Sequence, residues 1–274
     1  MRLRKAAASE LARFRGLLPQ PPGLPAVRIV RVRSGLYLQW EGQAEFLILG
    51  GGHEIAGRPL SPGWLEAFRA GLLTQVLSFA LLEQGIEHLH ATVVTAGEAA
   101  VAFAGQPGAG KSTLAAAFVA AGERVVTDDV LVLALGPSGV LAQPAYPRLR
   151  LWPQAARTLL PGARTSRLHR RNPKLVVSLP RSAWSRSAVP LARIYILGSP
   201  ADQIRVAKLS GTRAFRALAQ NTYNTSVIEP ERIRRHFEFT ASVAAKVPIK
   251  RLTYPRRFDA LPQVRARVLD DMTP

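Results

Sequence analysis

One run of about twenty residues constrains this chain more than any other. Ala100-Val101-Ala102-Phe103-Ala104 is a wholly apolar stretch of strand length. Gly105-Gln106-Pro107-Gly108-Ala109-Gly110-Lys111-Ser112 follows it, and Thr113-Leu114-Ala115-Ala116-Ala117-Phe118 then reads as a buried helix. The eight-residue run satisfies G-x-x-x-x-G-K-[ST] in the context that gives the pattern meaning, between a strand and a helix. Glycines at 105, 108 and 110 let backbone N–H groups converge on phosphate oxygens at the positive end of the following helix. Lys111 is expected to reach the β and γ phosphates of a nucleotide, and the Ser112 hydroxyl to hold Mg²⁺. ATP and Mg²⁺ are therefore the expected cofactors, with Gly105 to Thr113 as the nucleotide-binding segment.

Around this run the chain alternates strand and helix signals. Leu89–Thr95 and Ala99–Ala104 read as strands, Ser112–Ala121 as a helix, and Arg124–Thr127 and Val130–Leu135 as strands. Further strands are expected at Leu149–Pro153, Leu175–Leu179, Leu191–Leu197 and Ile204–Leu209, and helices at Thr212–Gln220, Glu231–Ala245 and Leu261–Asp270. Upstream, an amphipathic first helix from Met1 gives way to Leu18–Pro25, whose four prolines make it a linker. Val27–Val32, Leu36–Trp40 and Glu45–Leu49 suggest a small antiparallel sheet, and Pro62–Leu82 a long helix. The expected fold is α/β, a phosphate-loop core with a mixed sheet and a small amino-terminal β-rich subdomain. Residues 1–86 form the first expected domain, with a helix, a small sheet and a long helix; residues 87–274 form the nucleotide-binding catalytic domain.

Thr127-Asp128-Asp129 closes the hydrophobic strand after the loop helix, where strand ends deliver side chains to a phosphate site. Two adjacent carboxylates can divide labour there, Asp128 ordering hydrated Mg²⁺ and Asp129 accepting a proton from an attacking hydroxyl. Asp also commonly begins turns, so a capped turn is the bland alternative. His88 and His90 share one face of their strand by alternation, and His90 is the candidate assistant to the base.

Composition narrows the class of partner. Cys is absent, which removes disulfides, zinc–thiolate sites and thiol nucleophiles and fits a reducing compartment, with cytoplasm as the default. Lys and Arg number 37 against 18 Asp and Glu, a formal charge of +19 that favours an anionic partner. Between Val130 and Ala201 eleven cations face no carboxylate at all. Arg170, Arg171 and Lys174 are the best candidates there for contact with phosphate or an acidic substrate. The cations are not interleaved with aromatic residues, which argues against nucleic acid. The longest uncharged helical stretch, about Gly71 to Leu82, is too short to span a bilayer, so no transmembrane segment is expected. Lys246–Arg257 is basic enough to keep surface attachment to an anionic membrane open.

The set His90, Gly105-x-x-x-x-Gly110-Lys111-Ser112 and Asp128-Asp129 resembles the catalytic domain of HPr kinase/phosphorylase, a bacterial protein-serine kinase with a phosphoenolpyruvate-carboxykinase-like core. The match is closest from Leu89 to Leu135. The resemblance implies that Lys111 and Ser112 bind phosphate and Mg²⁺, that Asp128 supports the metal, and that Asp129, assisted by His90, is the catalytic base. Leu149-Arg150-Leu151-Trp152-Pro153, Pro190–Leu197 and Val247–Leu252 resemble phrases of a smaller HPr-kinase-related subgroup that includes lasso-peptide precursor kinases. It implies an ATP-dependent kinase acting on a serine or other hydroxyl of a peptide or small protein, and is compatible with a homo-oligomer. Two departures stand out. Fewer than ninety residues precede His90, and the family's signature carboxylate has no counterpart in Arg148-Leu149-Arg150-Leu151, which leaves one metal ligand unassigned. The competing expectation is a nucleotide-binding regulatory or chaperone-like ATPase without kinase activity.

Overall fold

The computed structural model describes residues 1–18, 27–137, 139–169, 172–224 and 229–272. The expected linker at Leu18–Pro25 falls almost wholly outside them, as do Arg170 and Arg171. The chain divides into two compact units, Met1–Ile86 with Leu168–Asn172, and Glu87–Arg167 with Pro173–Pro274.

The first unit contains β1 (Arg2–Lys5), α1 (Ala8–Ala12), β2 (Val27–Val32), β3 (Gly35–Trp40), β4 (Ala44–Leu49), β5 (Glu54–Pro59), α2 (Leu65–Gly71) and α3 (Leu77–Glu83). Among the described residues its sheet has five strands in the order β1-β5-β4-β3-β2, an antiparallel meander with β1 added in parallel to β5. The first helix is present but short, Ala8–Ala12, and the residues that lead into it form a strand. Residues Arg2–Lys5 pair with the free edge of β5, and Arg4 donates at 2.6 Å to both Glu54 and Glu10, so tertiary pairing overrides local propensity. Leu11, Phe14 and Leu18 pack on Tyr37 and Leu47 on one face of the meander. There the fully buried Glu45 accepts hydrogen bonds from Arg15 at 2.5 Å and from the Tyr37 hydroxyl at 2.8 Å.

The Phe68 ring of α2 stacks on Phe46 with centroids 4.8 Å apart. Between α2 and α3 the helix widens into a π turn, Leu72–Val76, where the Thr74 hydroxyl donates to the Ala70 carbonyl at 2.8 Å. The helical run Pro62–Glu83 is longer than its uncharged stretch, Gly71 to Leu82. At 22 residues and a mean hydropathy of 1.4 it is, among the described residues, the one helix long and apolar enough to cross a membrane, with 39% of that window buried. Length and composition alone do not separate such a span from a core helix.

The chain continues through β6 (His88–Ala96), β7 (Ala99–Ala104), α4 (Lys111–Ala120), β8 (Val125–Thr127), β9 (Val130–Gly136), β10 (Gly139–Ala142), β11 (Arg148–Leu151), α5 (Pro153–Leu159), β12 (Thr165–His169), β13 (Asn172–Ser178), β14 (Val189–Leu197), β15 (Arg205–Leu209), α6 (Thr212–Ala219), α7 (Pro230–Lys246), β16 (Ile249–Thr253) and α8 (Leu261–Asp270). Its large sheet runs β10-β9-β6-β7-β14-β16-β15, with β8 on β6 and β10 also pairing with the start of β14. β14 is parallel to β7 and β16 while the other pairings are antiparallel, so the fold is mixed α/β.

β7 shows why the core has two halves. Ala100, Ala102 and Ala104 pack with Leu218 and Val243 of α6 and α7, whereas Val101 and Phe103 pack with Leu114, Phe118 and Val264 of α4 and α8. Period-two alternation thus buries both faces of one strand under helices. Strand β11 stops at Leu151, short of the expected Pro153, because Pro153 opens α5, where a fixed φ and a missing N–H suit the first turn. The basic stretch Lys246–Arg257 holds β16, a strand paired on both sides by β14 and β15.

Candidate active site

The end of β7 feeds the glycine-rich loop, in which Gly105, Gly108 and Gly110 have φ of +150°, +85° and +92°. At Gly110 the requirement is spatial as well: a Cβ would stand 3.1 Å from the Tyr254 hydroxyl. The Ala109 N–H donates to the Gln106 carbonyl at 3.0 Å, closing a turn around Pro107, and the Leu114 N–H donates to the Gly110 carbonyl at 2.8 Å, starting α4. Lys111 is buried, and its Nζ donates to the carbonyls of Gly105 at 2.7 Å and Gln106 at 3.3 Å. Burial pushes the ammonium below its usual pKa, against the pull of Asp129 and Asp128.

The acidic pair sits between β8 and β9. Asp128 is buried and saturated with donors: the Thr92 hydroxyl reaches Oδ1 at 2.7 Å, the Ser112 hydroxyl reaches the same oxygen at 3.1 Å, and the Arg150 backbone N–H reaches Oδ2 at 3.0 Å. Burial, then repulsion from Asp129, raises its pKa, and Arg150 opposes the rise. Asp129 is a non-glycine residue in the left-handed region, φ +75°. Its carbonyl accepts from the Ala91 N–H at 3.2 Å, and the Arg150 guanidinium lies on its Oδ2. Such backbone costs on the order of 1 kcal/mol and persists where surrounding contacts hold it. Here it turns two consecutive carboxylates toward different partners.

Beside the pair stand half-buried polar rings. His90 meets Tyr223 edge-on at 4.6 Å, and its backbone N–H donates to the Asn221 carbonyl at 2.7 Å. Burial, helped by Lys111, pushes the imidazole down to about 4, so it is neutral near pH 7. The Arg148 guanidinium lies over the Tyr146 ring at 4.8 Å. His90 Nδ1, the Tyr146 hydroxyl and Arg148 Nη2 are buried without a hydrogen-bond partner. Burial raises the Tyr146 and Tyr223 phenols above their usual range and lowers Arg148. Orphaned donors and acceptors beside an ion pair mark a place where a polar ligand group can be received.

No family model matches the sequence. No curated protein matches it. Among solved structures, the chain is similar to an HPr(Ser) kinase/phosphatase from Coxiella burnetii, with 12% identity and a TM-score of 0.39 over 67% of this chain and 95% of that one. A likeness this loose carries no residue role across.

The sequence candidates gather unevenly. Ser112 bonds to Asp128, Asp129 is next in the chain, and Lys111 and His90 lie near enough for the carboxylate charges to act on them. Lys174 on β13 is near enough for its charge to depress Lys111 further. Arg170 and Arg171 lie outside the described residues. Thr92, Arg150, Tyr146 and Tyr223 were not among the candidates. Thr92 continues the His88, His90 alternation, and Arg150 alternates with the buried Leu149 and Leu151, so both were open to a face-by-face reading. Asn221-Thr222-Tyr223-Asn224 reads locally as a polar segment that could touch substrate, and better as a helix-ending turn. The Leu89–Thr222 bridge and the His90 N–H on the Asn221 carbonyl bring Tyr223 to β6.

Proposed function

We propose that this chain is a kinase transferring the γ-phosphate of Mg²⁺-ATP to a serine or other hydroxyl of a peptide or small protein. One observation carries the reading: the loop hydroxyl of Ser112 stands 3.1 Å from Asp128 Oδ1, with Asp129 next in the chain on a strained turn. The donor set suits the cofactor. Glycines 105, 108 and 110 open the backbone to phosphate oxygens, and Lys111 brings a buried positive charge. Among the described residues no group of three or more His, Cys, Asp or Glu side chains could hold a metal. That fits a cation held by one or two protein oxygens together with water and phosphate, the habit of Mg²⁺. Mg²⁺-ATP, when bound, supplies the phosphoryl group and offsets part of its charge.

The remaining work falls to the chain. Lys111 exchanges the carbonyls of Gly105 and Gln106 for phosphate oxygens, and Ser112 and Asp128 hold the metal side. Asp129 would accept the proton of the acceptor hydroxyl as the acceptor oxygen bonds to the γ-phosphorus and the bond from that phosphorus to the bridging oxygen breaks, with ADP leaving. Arg150, on releasing Asp129, turns its guanidinium to the developing charge. Neutral His90 orients the acceptor. With a formal charge of +19 the chain favours an acidic peptide, and the sequence resemblance suggests a lasso-peptide precursor as one acceptor. The same reading places the enzyme in the cytoplasm as a homo-oligomer.

A second reading, a regulatory or chaperone-like ATPase without kinase activity, is favoured by the ion pair itself, because Arg150 already occupies Asp129. Mass spectrometry of candidate peptides incubated with ATP and Mg²⁺ separates the two. The kinase reading expects a gain of one phosphate that disappears in Asp129→Asn while ATP binding persists. ATP turnover with no labelled peptide overturns it in favour of the ATPase.

A further inference from the structure

A cleft of about 290 Å³ opens against the phosphate loop, lined by Gly108, Gly110 and Thr113 together with Trp152, Arg256 and Phe258. Neither the acidic pair nor Lys111, His90 or Arg150 lines it. It therefore touches the loop without belonging to the proton-handling cluster.

Two observations point to a ligand. Trp152, at the entrance to α5, leaves 51% of its surface exposed, although a tryptophan gains more from burial than almost any other side chain. Arg256 is stacked on the Tyr254 ring at 3.9 Å and donates through Nη2 to the Gly198 carbonyl at 2.8 Å. Its Nη1 is buried with no acceptor and lies 3.4 Å from where a Cβ on Gly110 would stand. A buried charged donor aimed at a loop glycine calls for an anionic oxygen above that glycine. The cleft has two arginines and three aromatic rings, among which Trp152 is the open face, and no carboxylate lines it. Its volume is at the small end for ligand pockets, suited to one flat ring system and not to a peptide.

We propose that this cleft receives the nucleoside half of a nucleoside triphosphate, the base stacking on Trp152 and Phe258 while Arg256 Nη1 donates to a phosphate oxygen over Gly110. The inference rests on the nucleotide-binding part of the kinase reading. Isothermal calorimetry on the full chain with Mg²⁺, comparing ATP with inorganic tripolyphosphate, tests it. ATP is expected to bind more tightly than tripolyphosphate. Trp152→Ala should weaken ATP roughly 5- to 100-fold, the range for loss of one base–aromatic stack, and leave tripolyphosphate unchanged. Phe258→Ala should act in the same sense, and Arg256→Gln should weaken both ligands. Since Trp152 is half exposed, its variant should keep the wild-type unfolding midpoint. Equal binding of ATP and tripolyphosphate, or a Trp152→Ala loss shared by both, overturns the cleft assignment and leaves the kinase reading standing. Failure of both ligands to bind removes the phosphate loop's role and both proposals with it.

Discussion

Arg150 engages both members of the acidic pair at once, its backbone N–H on Asp128 Oδ2 at 3.0 Å and its guanidinium on the carboxylate of Asp129. The two contacts come from different parts of one residue, so they can be separated by mutation. Arg150→Met keeps the backbone donor to Asp128 and strips the guanidinium from Asp129. If the guanidinium turns to the transferring phosphoryl group, single-turnover transfer should fall by about 10³-fold while ATP affinity changes little, in line with arginines that serve other phosphate-loop enzymes. An unchanged or faster rate would show that Arg150 only restrains the base.

Asp128 accepts from three donors, Thr92 and Ser112 on Oδ1 and the Arg150 N–H on Oδ2. Asp128→Asn keeps the shape of the side chain and replaces one acceptor oxygen by a donor. The Mg²⁺ concentration for half-maximal activity should rise about 10- to 100-fold, the usual consequence of disturbing a carboxylate that positions a metal ligand. Titration of activity with Mg²⁺ at saturating ATP measures it, and an unshifted curve would remove Asp128 from the metal side.

Gly110 and Gly122 have nearly the same backbone, φ +92° and +95°, but a Cβ on Gly122 meets nothing within 4 Å whereas one on Gly110 meets the Tyr254 hydroxyl at 3.1 Å. Both alanine variants should lose on the order of 1–2 kcal/mol from the left-handed backbone. Only Gly110→Ala should also lose ATP binding. Thermal unfolding beside calorimetry distinguishes strain, common to both, from the loop's own geometry.

The depressed His90 gives stability a pH dependence of known sign. Burial and Lys111 hold the folded imidazole near a pKa of about 4, against about 6.5 in an unfolded chain. Between those values the unfolded chain binds a proton that the folded one does not, so stability rises with pH through the window and is lost as pH falls through it. The contribution is about 3 kcal/mol at full extent. Asp128, raised by burial, works in the opposite sense at the acid end. The comparison is therefore between wild type and His90→Asn by urea unfolding from pH 4 to 7. The variant should show the flatter rise; parallel curves would place the imidazole in solvent.

Most of the central unit was legible in the sequence because its signals are local. An apolar strand, glycines where φ must be positive, an apolar helix and an Asp pair at a strand end each announce themselves within a few residues, and β7 and α8 fall on their expected bounds. Two strands that the local pattern does not announce share a cause. Arg2–Lys5 is a strand because β5 has an edge to offer. Ile249–Thr253 is an interior strand because β14 and β15 flank it. Neither fact can be written into five residues.

The sequence by itself determined the phosphate loop, its lysine and its hydroxyl, and the two carboxylates that follow, since each is a short run whose chemistry depends on residue type and spacing. Only the tertiary structure decided what stands around them. Thr92, Arg150 and Tyr223 come from three distant segments. β6, which pairs with β8 and β9 and bridges to Thr222, brings Thr92 and Tyr223 to the site, while Arg150 lies on β11 of a separate sheet and bonds to Asp128 and Asp129 directly. The carboxylate missing from Arg148-Leu149-Arg150-Leu151 reads in the sequence as a gap. In the fold this run holds an arginine on the acidic pair, because alternation sends Leu149 and Leu151 into the core and turns Arg150 toward Asp129.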